Sequence, residues 1–267
     1  MRRKDSSKKN TSKSLLRYPG GKTRAISTIT HYFPKDITEL CSPFFGGGSI
    51  ELWLAAKGVK VYAYDIFRPL VDFWQTVILH PEELSKEVQK YYPLAKEAFY
   101  KLQEEQNKFS TKLERAAAFY VLNRSSFSGS TLSGGMSPNH PRFNQTSIDR
   151  VRDFHNPNFS VNRLDFNESI VKHDKVFKYL DPPYIIEGAL YGKDGSTHKD
   201  FDHQGLFNLL NKTDNWIMSY NNCEEIRSLY KDYQMIEPVW AYGMSKNKRS
   251  NELLIFSKDI KSKQNGI

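Results

Sequence analysis

The tetrapeptide Asp181-Pro182-Pro183-Tyr184 directly follows an apolar run at residues 176–180. Consecutive prolines neither extend a hydrogen-bonded ladder nor fit a helix interior, so they set a rigid turn with carbonyls pointing outward. A carboxylate, a fixed carbonyl and an aromatic ring then face one small volume. That set suits an exocyclic amine on a flat base. The amine N–H groups donate to the Asp181 carboxylate and the Pro182 carbonyl while Tyr184 stacks on the ring. Such bonds draw the nitrogen toward tetrahedral geometry and free its lone pair to attack an electrophilic methyl group. The plainer reading of these residues is a strand-ending turn with a capping acid.

A second constellation lies upstream. Residues 37–41 read as a strand and residues 42–49, Ser-Pro-Phe-Phe-Gly-Gly-Gly-Ser, as a turn. Residues 50–57 read as a helix closed by Gly58, and residues 59–64 as a strand that stops at Asp65. A glycine cluster after one strand and an acid about 20 residues on, after the next, place a nucleoside-containing cofactor in the crevice of a doubly wound sheet. The acid then meets the ribose hydroxyls. Gly46-Gly47-Gly48 is tighter than the dinucleotide fingerprint, so a different adenosine cofactor is expected. An ordinary turn acid is the alternative for Asp65, and core packing the alternative to a cofactor sandwich for Phe44 and Phe166. Tyr18-Pro19-Gly20-Gly21-Lys22, at the start of a helix-like run over residues 23–32, marks an anion or carboxylate site.

The elements that must carry these motifs alternate along the chain. Residues 69–123 read as amphipathic helices, whereas residues 123–150 are rich in Ser, Gly, Asn, Pro and Arg and read as a binding loop. Strands are expected at residues 159–164, 176–180, 216–220, 235–241 and 252–257. Helices are expected at residues 201–210, capped by Asp200 or Asp202, and at residues 224–230. The last two strands bracket a basic hairpin, Gly-Met-Ser-Lys-Asn-Lys-Arg-Ser-Asn. Residues 1–13 are basic and polar with no apolar segment behind them, and are expected to form a tail rather than a secretory signal.

Composition narrows the partners. Of 267 residues, 39% are hydrophobic and 13% aromatic, enough for a proper core, so wholesale disorder is excluded. No apolar run approaches the roughly 20 residues of a membrane-spanning helix. Cys41 and Cys223 are too few for a disulfide framework and too far apart for a zinc cluster, and no histidine spacing suits a metal. A reducing, cytoplasmic setting is the default. The 39 Lys and Arg against 30 Asp and Glu give a net charge of +9, which with the aromatic content leans toward a polyanionic partner. Solubility is the bland alternative.

In order and spacing, residues 15–257 resemble the Dam-like, alpha-class DNA adenine-N6 methyltransferases. Residues 18–22 resemble their amino-terminal cofactor motif. Residues 43–49 resemble motif I, which wraps S-adenosyl-L-methionine. Asp65, with Ile66 behind it, falls where the ribose-binding acid lies, and Asp165-Phe166 where the cofactor adenine is bound. Residues 181–184 match the catalytic motif and residues 122–129, Leu-Asn-Arg-Ser-Ser-Phe-Ser-Gly, the start of the DNA-reading hairpin. Tyr191, Phe201, Asp202, His203, residues 219–221 and residues 251–256 follow family spacing.

The resemblance implies an α/β, Rossmann-like seven-stranded methyltransferase sheet built from residues 14–68 and 159–260, with a helical DNA-recognition insert at residues 69–158. The implied catalytic residues are Asp181, Pro182, Pro183 and Tyr184. Cofactor contacts fall to Tyr18, Lys22, Ser42, Pro43, Phe44, Phe45, Gly46, Gly47, Gly48, Ser49, Asp65, Ile66, Asp165, Phe166 and Asp181, with Lys22 open to a DNA-side role. Candidate DNA contacts are Asn123, Arg124, Ser126, Phe127, Ser128, Arg142, Lys246, Lys248 and Arg249, and no metal is implied. Two departures stand out. Ser42 occupies a position that is Glu in many relatives, which weakens or reroutes contact with the methionine part of the cofactor. Ser128 and Leu132 replace a hairpin Asn and Arg, so GATC recognition is not expected.

The implied reaction is methyl transfer from S-adenosyl-L-methionine to N6 of an adenine flipped out of a short double-stranded DNA site. Cytosine N4, an RNA adenine or a protein glutamine amide are the competing amines, and a silent nucleic-acid-binding module of the same fold is the competing class. A monomer is expected, without a membrane, acting on nucleoid or viral DNA, with a separate cognate restriction endonuclease left open.

Overall fold

The computed structural model describes residues 10–132, 134–137, 142–185, 201–239 and 251–260. Its short apolar runs form β1 (Glu39–Ser42), β2 (Lys60–Asp65), β3 (Phe159–Arg163), β4 (Phe177–Leu180), β5 (Trp216–Asn221), β6 (Gln234–Ile236) and β7 (Glu252–Phe256). These make one seven-stranded sheet of order β3-β2-β1-β4-β5-β7-β6. The first five are parallel, and β7 runs antiparallel between β5 and β6. The α/β fold with a seven-stranded, Rossmann-like sheet is therefore as expected.

Successive residues of the central strands feed opposite faces, as the two-residue period of a strand requires. Phe177 and Tyr179 of β4, Ile217 of β5, and Leu254 and Phe256 of β7 join one apolar cluster. Leu180, Trp216, Met218, Leu253 and Ile255 join the other. Burial on both faces explains why these strands read as continuous apolar runs rather than alternating ones. The helices covering them are α1 (Ile26–Thr30), α2 (Ser49–Ala56), α3 (Arg68–Leu79), α4 (Pro81–Gln89), α5 (Lys96–Glu105), α6 (Lys112–Ser125), α7 (Gln145–Arg152), α8 (Phe166–Lys172), α9 (His203–Leu210) and α10 (Glu224–Leu229).

One topological feature places the site. From β1 the chain winds outward through β2 to β3, then returns so that β4 pairs with the other side of β1, Leu40 opposite Phe177. The carboxyl ends of β1 and β4 thus lie side by side at the point where strand order reverses, the crevice in which open α/β sheets bind ligands. The glycine turn leaves one strand and Asp181-Pro182-Pro183-Tyr184 the other.

Some expected elements shift. The polar stretch at 123–150 contains α7, started by a reciprocal cap in which Asn144 accepts from the Ser147 amide at 2.9 Å. Ile148 and Val151, buried three residues apart, hold α7 to the core. The final turn of α6 also runs into that stretch. Helix α1 is shorter than the expected 23–32. Strand β6 stops at Ile236, ahead of Pro238, which has no amide to donate to a ladder.

Candidate active site

Glycines are required where the β1 turn is most crowded. A Cβ on Gly47 would lie 2.6 Å from Cβ of Tyr18, and Gly48 has φ +67°, a left-handed conformation with a Phe45 ring carbon only 2.3 Å from where its Cβ would be. Tyr18 thereby packs onto the turn. Asp65, at the end of β2, completes it: Oδ2 accepts from the Gly46 amide at 3.1 Å and Oδ1 from Phe67 at 2.9 Å. Burial pushes the Asp65 carboxyl above the ordinary carboxylate range, opposed by those amides. Asp65 shapes the turn and still has lone pairs for a ligand hydroxyl.

On the β4 side, Asp181 is the hub of a polar network drawn from four separate segments. Lys22 Nζ donates to both its oxygens, at 2.8 and 2.9 Å. The Ser219 hydroxyl donates to Oδ1 at 2.9 Å and the Tyr184 hydroxyl at 3.2 Å. Ser219 in turn accepts from the buried Tyr179 hydroxyl at 2.8 Å. Three donors fill Oδ1, whereas Oδ2 receives only Lys22, leaving Oδ2 as the oxygen with capacity for an incoming N–H.

Lys22 is 5% exposed, also donates to the Gly20 carbonyl at 3.1 Å, and lies 3.7 Å from Oε2 of Glu252. Burial alone would lower its pKa, but the Asp181 and Glu252 carboxylates outweigh burial and hold it above the ordinary lysine range. Glu252 itself is buried on β7 beside Lys22 and the Tyr184 hydroxyl, and burial pushes it up to about 7 against the pull of Lys22.

The two halves share one cavity of about 760 Å³, within the size range of small-ligand sites. Tyr18, Lys22, the turn at 43–49, Asp65, Ile66, Asp165, Phe166 and residues 181–184 all line it. Phe44, Phe166 and Phe201 form a mutually contacting trio in its wall, with ring centroids 5.5–5.7 Å apart. Asp165 caps α8, accepting from the Asn167 amide at 2.8 Å. Phe45 also lines the cavity, and its ring packs on Trp74 and Phe159 in the core. Tyr184 is already engaged: Tyr220 stacks on it at 5.7 Å and Lys22 Nζ stands 5.0 Å from its centroid.

Three expected contacts are corrected by burial. Ser42 is fully buried and does not line the cavity; its hydroxyl donates to Oε1 of Glu51 at 2.7 Å. Asn123 is 1% exposed and clasps the Arg17 backbone from both sides, accepting from its amide and donating to its carbonyl, each at 2.8 Å. Ser126 is fully buried and accepts from the Thr131 amide at 2.9 Å. Neither Asn123 nor Ser126 reaches a surface that a duplex can touch; they brace the loop after α6.

That loop presents other groups. Phe127 is 64% exposed. Arg124 donates to the Arg142 carbonyl at 3.0 Å, and Arg17 and Arg142 line a second, polar cavity of about 300 Å³. Burial, then Arg142 and Arg124, lower the Arg17 pKa, the signature of clustered like charge. Ser128 lies in the single turn Phe127–Gly129. Tyr191, Lys246, Lys248 and Arg249 lie outside the described residues. Sequence reasoning missed Arg17, Glu51 and Glu252 as site groups. The available signals were an Arg ahead of the glycine pair and lone acids within the apolar runs Ser-Ile-Glu-Leu-Trp-Leu and Asn-Glu-Leu-Leu-Ile-Phe. Among the described residues no group of His, Cys, Asp and Glu could hold a metal ion, and no helix is long and apolar enough to cross a membrane.

The chain is similar to several known methyltransferases. The chain is 28% identical over 203 residues to the type II methyltransferase M.MjaIII of Methanocaldococcus jannaschii, covering 64% of the chain and 69% of that protein. It is 25% identical to the modification methylase StsI of Streptococcus sanguinis, over 91% of the chain but 40% of that protein. It is 22% identical to the type II methyltransferase M.CviBI of Paramecium bursaria Chlorella virus NC1A, over 83% of the chain and 87% of that protein. The family model for D12 class N6 adenine-specific DNA methyltransferases matches residues 18–244, from the tyrosine that packs on the glycine turn to beyond the strand carrying Ser219, and the chain belongs to that family.

Proposed function

We propose that the chain binds S-adenosyl-L-methionine and transfers its methyl group to N6 of an adenine flipped out of a short duplex DNA sequence. The observation that carries this reading is the placement of Asp181, with one oxygen unfilled, in the same cavity as the glycine turn and Asp65. The cavity fits the cofactor: it has the volume, an acid for the ribose hydroxyls, an aromatic trio for the adenine, and a turn whose glycines admit close backbone approach. When bound, S-adenosyl-L-methionine supplies an electrophilic methyl group.

The remaining work belongs to the chain. Asp181 Oδ2 and the Pro182 carbonyl accept the two N–H bonds of the target amine, drawing the nitrogen lone pair out of conjugation and toward the methyl group. Lys22 and Ser219 hold the Asp181 carboxylate in place by hydrogen bonds. Tyr184 exchanges its present neighbour for the base, since its ring is stacked on Tyr220. The proton leaves to water after transfer. Duplex binding falls to the arginines around the loop after α6 as phosphate partners and to exposed Phe127 as a wedge or stacking group. The names of the relatives support a role in a restriction-modification pair with a separate nuclease.

Titration calorimetry with S-adenosylhomocysteine, combined with turnover of Asp181→Ala, tests the reading. Cofactor-product binding by the wild type and lost turnover in a folded Asp181→Ala variant are expected. Near-normal turnover by Asp181→Ala would sink it.

A further inference from the structure

Glu51, in the first turn of α2, is a charged residue in an otherwise apolar helix, 3% exposed and set in the cavity wall. Among the described residues no Lys, Arg or His lies within ion-pair distance of it. Lys22, the nearest cation in its field, is occupied by Asp181 and the Gly20 carbonyl. Ser42 fixes one oxygen, donating to Oε1 at 2.7 Å. Burial pushes the carboxyl up to about 7, with its own amide and the Ser42 hydroxyl opposing. A buried acid without a cation is costly unless something completes it.

The position along the cavity identifies what completes it. The charges that act on Glu51 are Asp181 and Lys22, whereas those that act on Asp65 are the amides of Gly46, Ile66 and Phe67. Glu51 therefore belongs to the methyl-transfer end and Asp65 to the ribose end. Beyond the sulfonium, which has no N–H to donate, S-adenosyl-L-methionine carries one further cation, the α-ammonium of its amino-acid part.

We infer that Glu51 receives that ammonium, so that the acid missing at Ser42 has been transposed nine residues along the chain, from the end of β1 to the first turn of α2. Ser42 then acts as the hydroxyl that orients it. This rests on the cofactor reading proposed above and deepens it.

The test is calorimetry with two probes. S-adenosylhomocysteine has the ammonium, and 5′-methylthioadenosine has the nucleoside but no amino-acid part. Glu51→Gln should weaken S-adenosylhomocysteine roughly 10- to 100-fold, the range for loss of one charge-assisted contact, and change 5′-methylthioadenosine by less than about threefold. Ser42→Glu added to Glu51→Ser should recover much of the loss. An equal loss for both probes indicates a merely structural acid and overturns the inference, as does no loss for either. A wild type that binds neither probe overturns the cofactor reading and this inference with it. Should Glu51→Gln fail to fold, Glu51→Asp, which withdraws the carboxylate by one methylene, is expected to split the probes in the same sense. An unsplit result there overturns the inference.

Discussion

Replacing Lys22 by Met keeps the length and bulk of the side chain but removes the cation shared by Asp181 and Glu252. The two carboxylates then face each other without the cation between them, Glu252 at 3% exposure and Asp181 at 24%. Removing one partner of a buried ion pair costs about 3–5 kcal/mol. The partial exposure of Asp181 points to the lower end, about 3 kcal/mol, which for a chain of this size lowers Tm by roughly 6–12 °C. With Lys22 gone the Glu252 carboxyl, already pushed up to about 7, holds its proton more tightly in the folded state, so stability falls as pH rises, and the deficit is larger at pH about 8 than at about 5.5. Adding Glu252→Gln removes one of the two stranded charges and should recover part of the loss. Thermal and urea unfolding of wild type, Lys22→Met, Glu252→Gln and the double variant at both pH values checks this. A Tm change below about 2 °C for Lys22→Met, or a double variant less stable than the single, would refute the shared-cation argument.

Three other perturbations follow from the same geometry. Glu51→Gln keeps the Ser42 hydrogen bond; because the Glu51 carboxyl lies at about 7 instead of 4.5, its stabilising contribution is full below about 4.5 and is lost as pH rises through about 7. Without cofactor the variant should match wild type near pH 5 and exceed it by roughly 3 kcal/mol near pH 8, and a pH-independent difference in urea unfolding contradicts the assignment. Asp65→Ala removes the acceptor of the Gly46 and Phe67 amides and should weaken cofactor binding more than DNA binding; calorimetry giving the opposite ranking rules out the ribose role. Phe127→Ala should leave Tm within about 2 °C while weakening duplex affinity by about tenfold in fluorescence anisotropy, and unchanged affinity removes Phe127 from the interface.

The parts of the site that are local in sequence were legible. Asp181-Pro182-Pro183-Tyr184 announces itself because proline chemistry restricts the turn, and Gly46 to Gly48 because only glycine tolerates Tyr18 and Phe45 at such range. Contributions from distant strands were not. Ser219 meets Asp181 because β5 pairs parallel with β4, and Glu252 comes near it because β7 lies antiparallel beside β5, pairings that chain order does not announce. Asn123 reads as a surface polar residue, yet its amide has the two-way donor and acceptor pattern needed to clasp a backbone, and the fold buries it for that purpose. Helix α7 was hidden by polar composition, its start being set by a side-chain cap rather than by a long apolar stripe.

The central claim is methyl transfer to an amine held by Asp181, and the most direct test is the product. Purified protein is incubated with labelled S-adenosyl-L-methionine and unmodified genomic DNA, the DNA is digested to nucleosides, and modified positions are mapped at base resolution. The account predicts label in N6-methyladenine within one short sequence, absent with Asp181→Ala. Label in N4-methylcytosine, or in RNA or protein but not DNA, would contradict it.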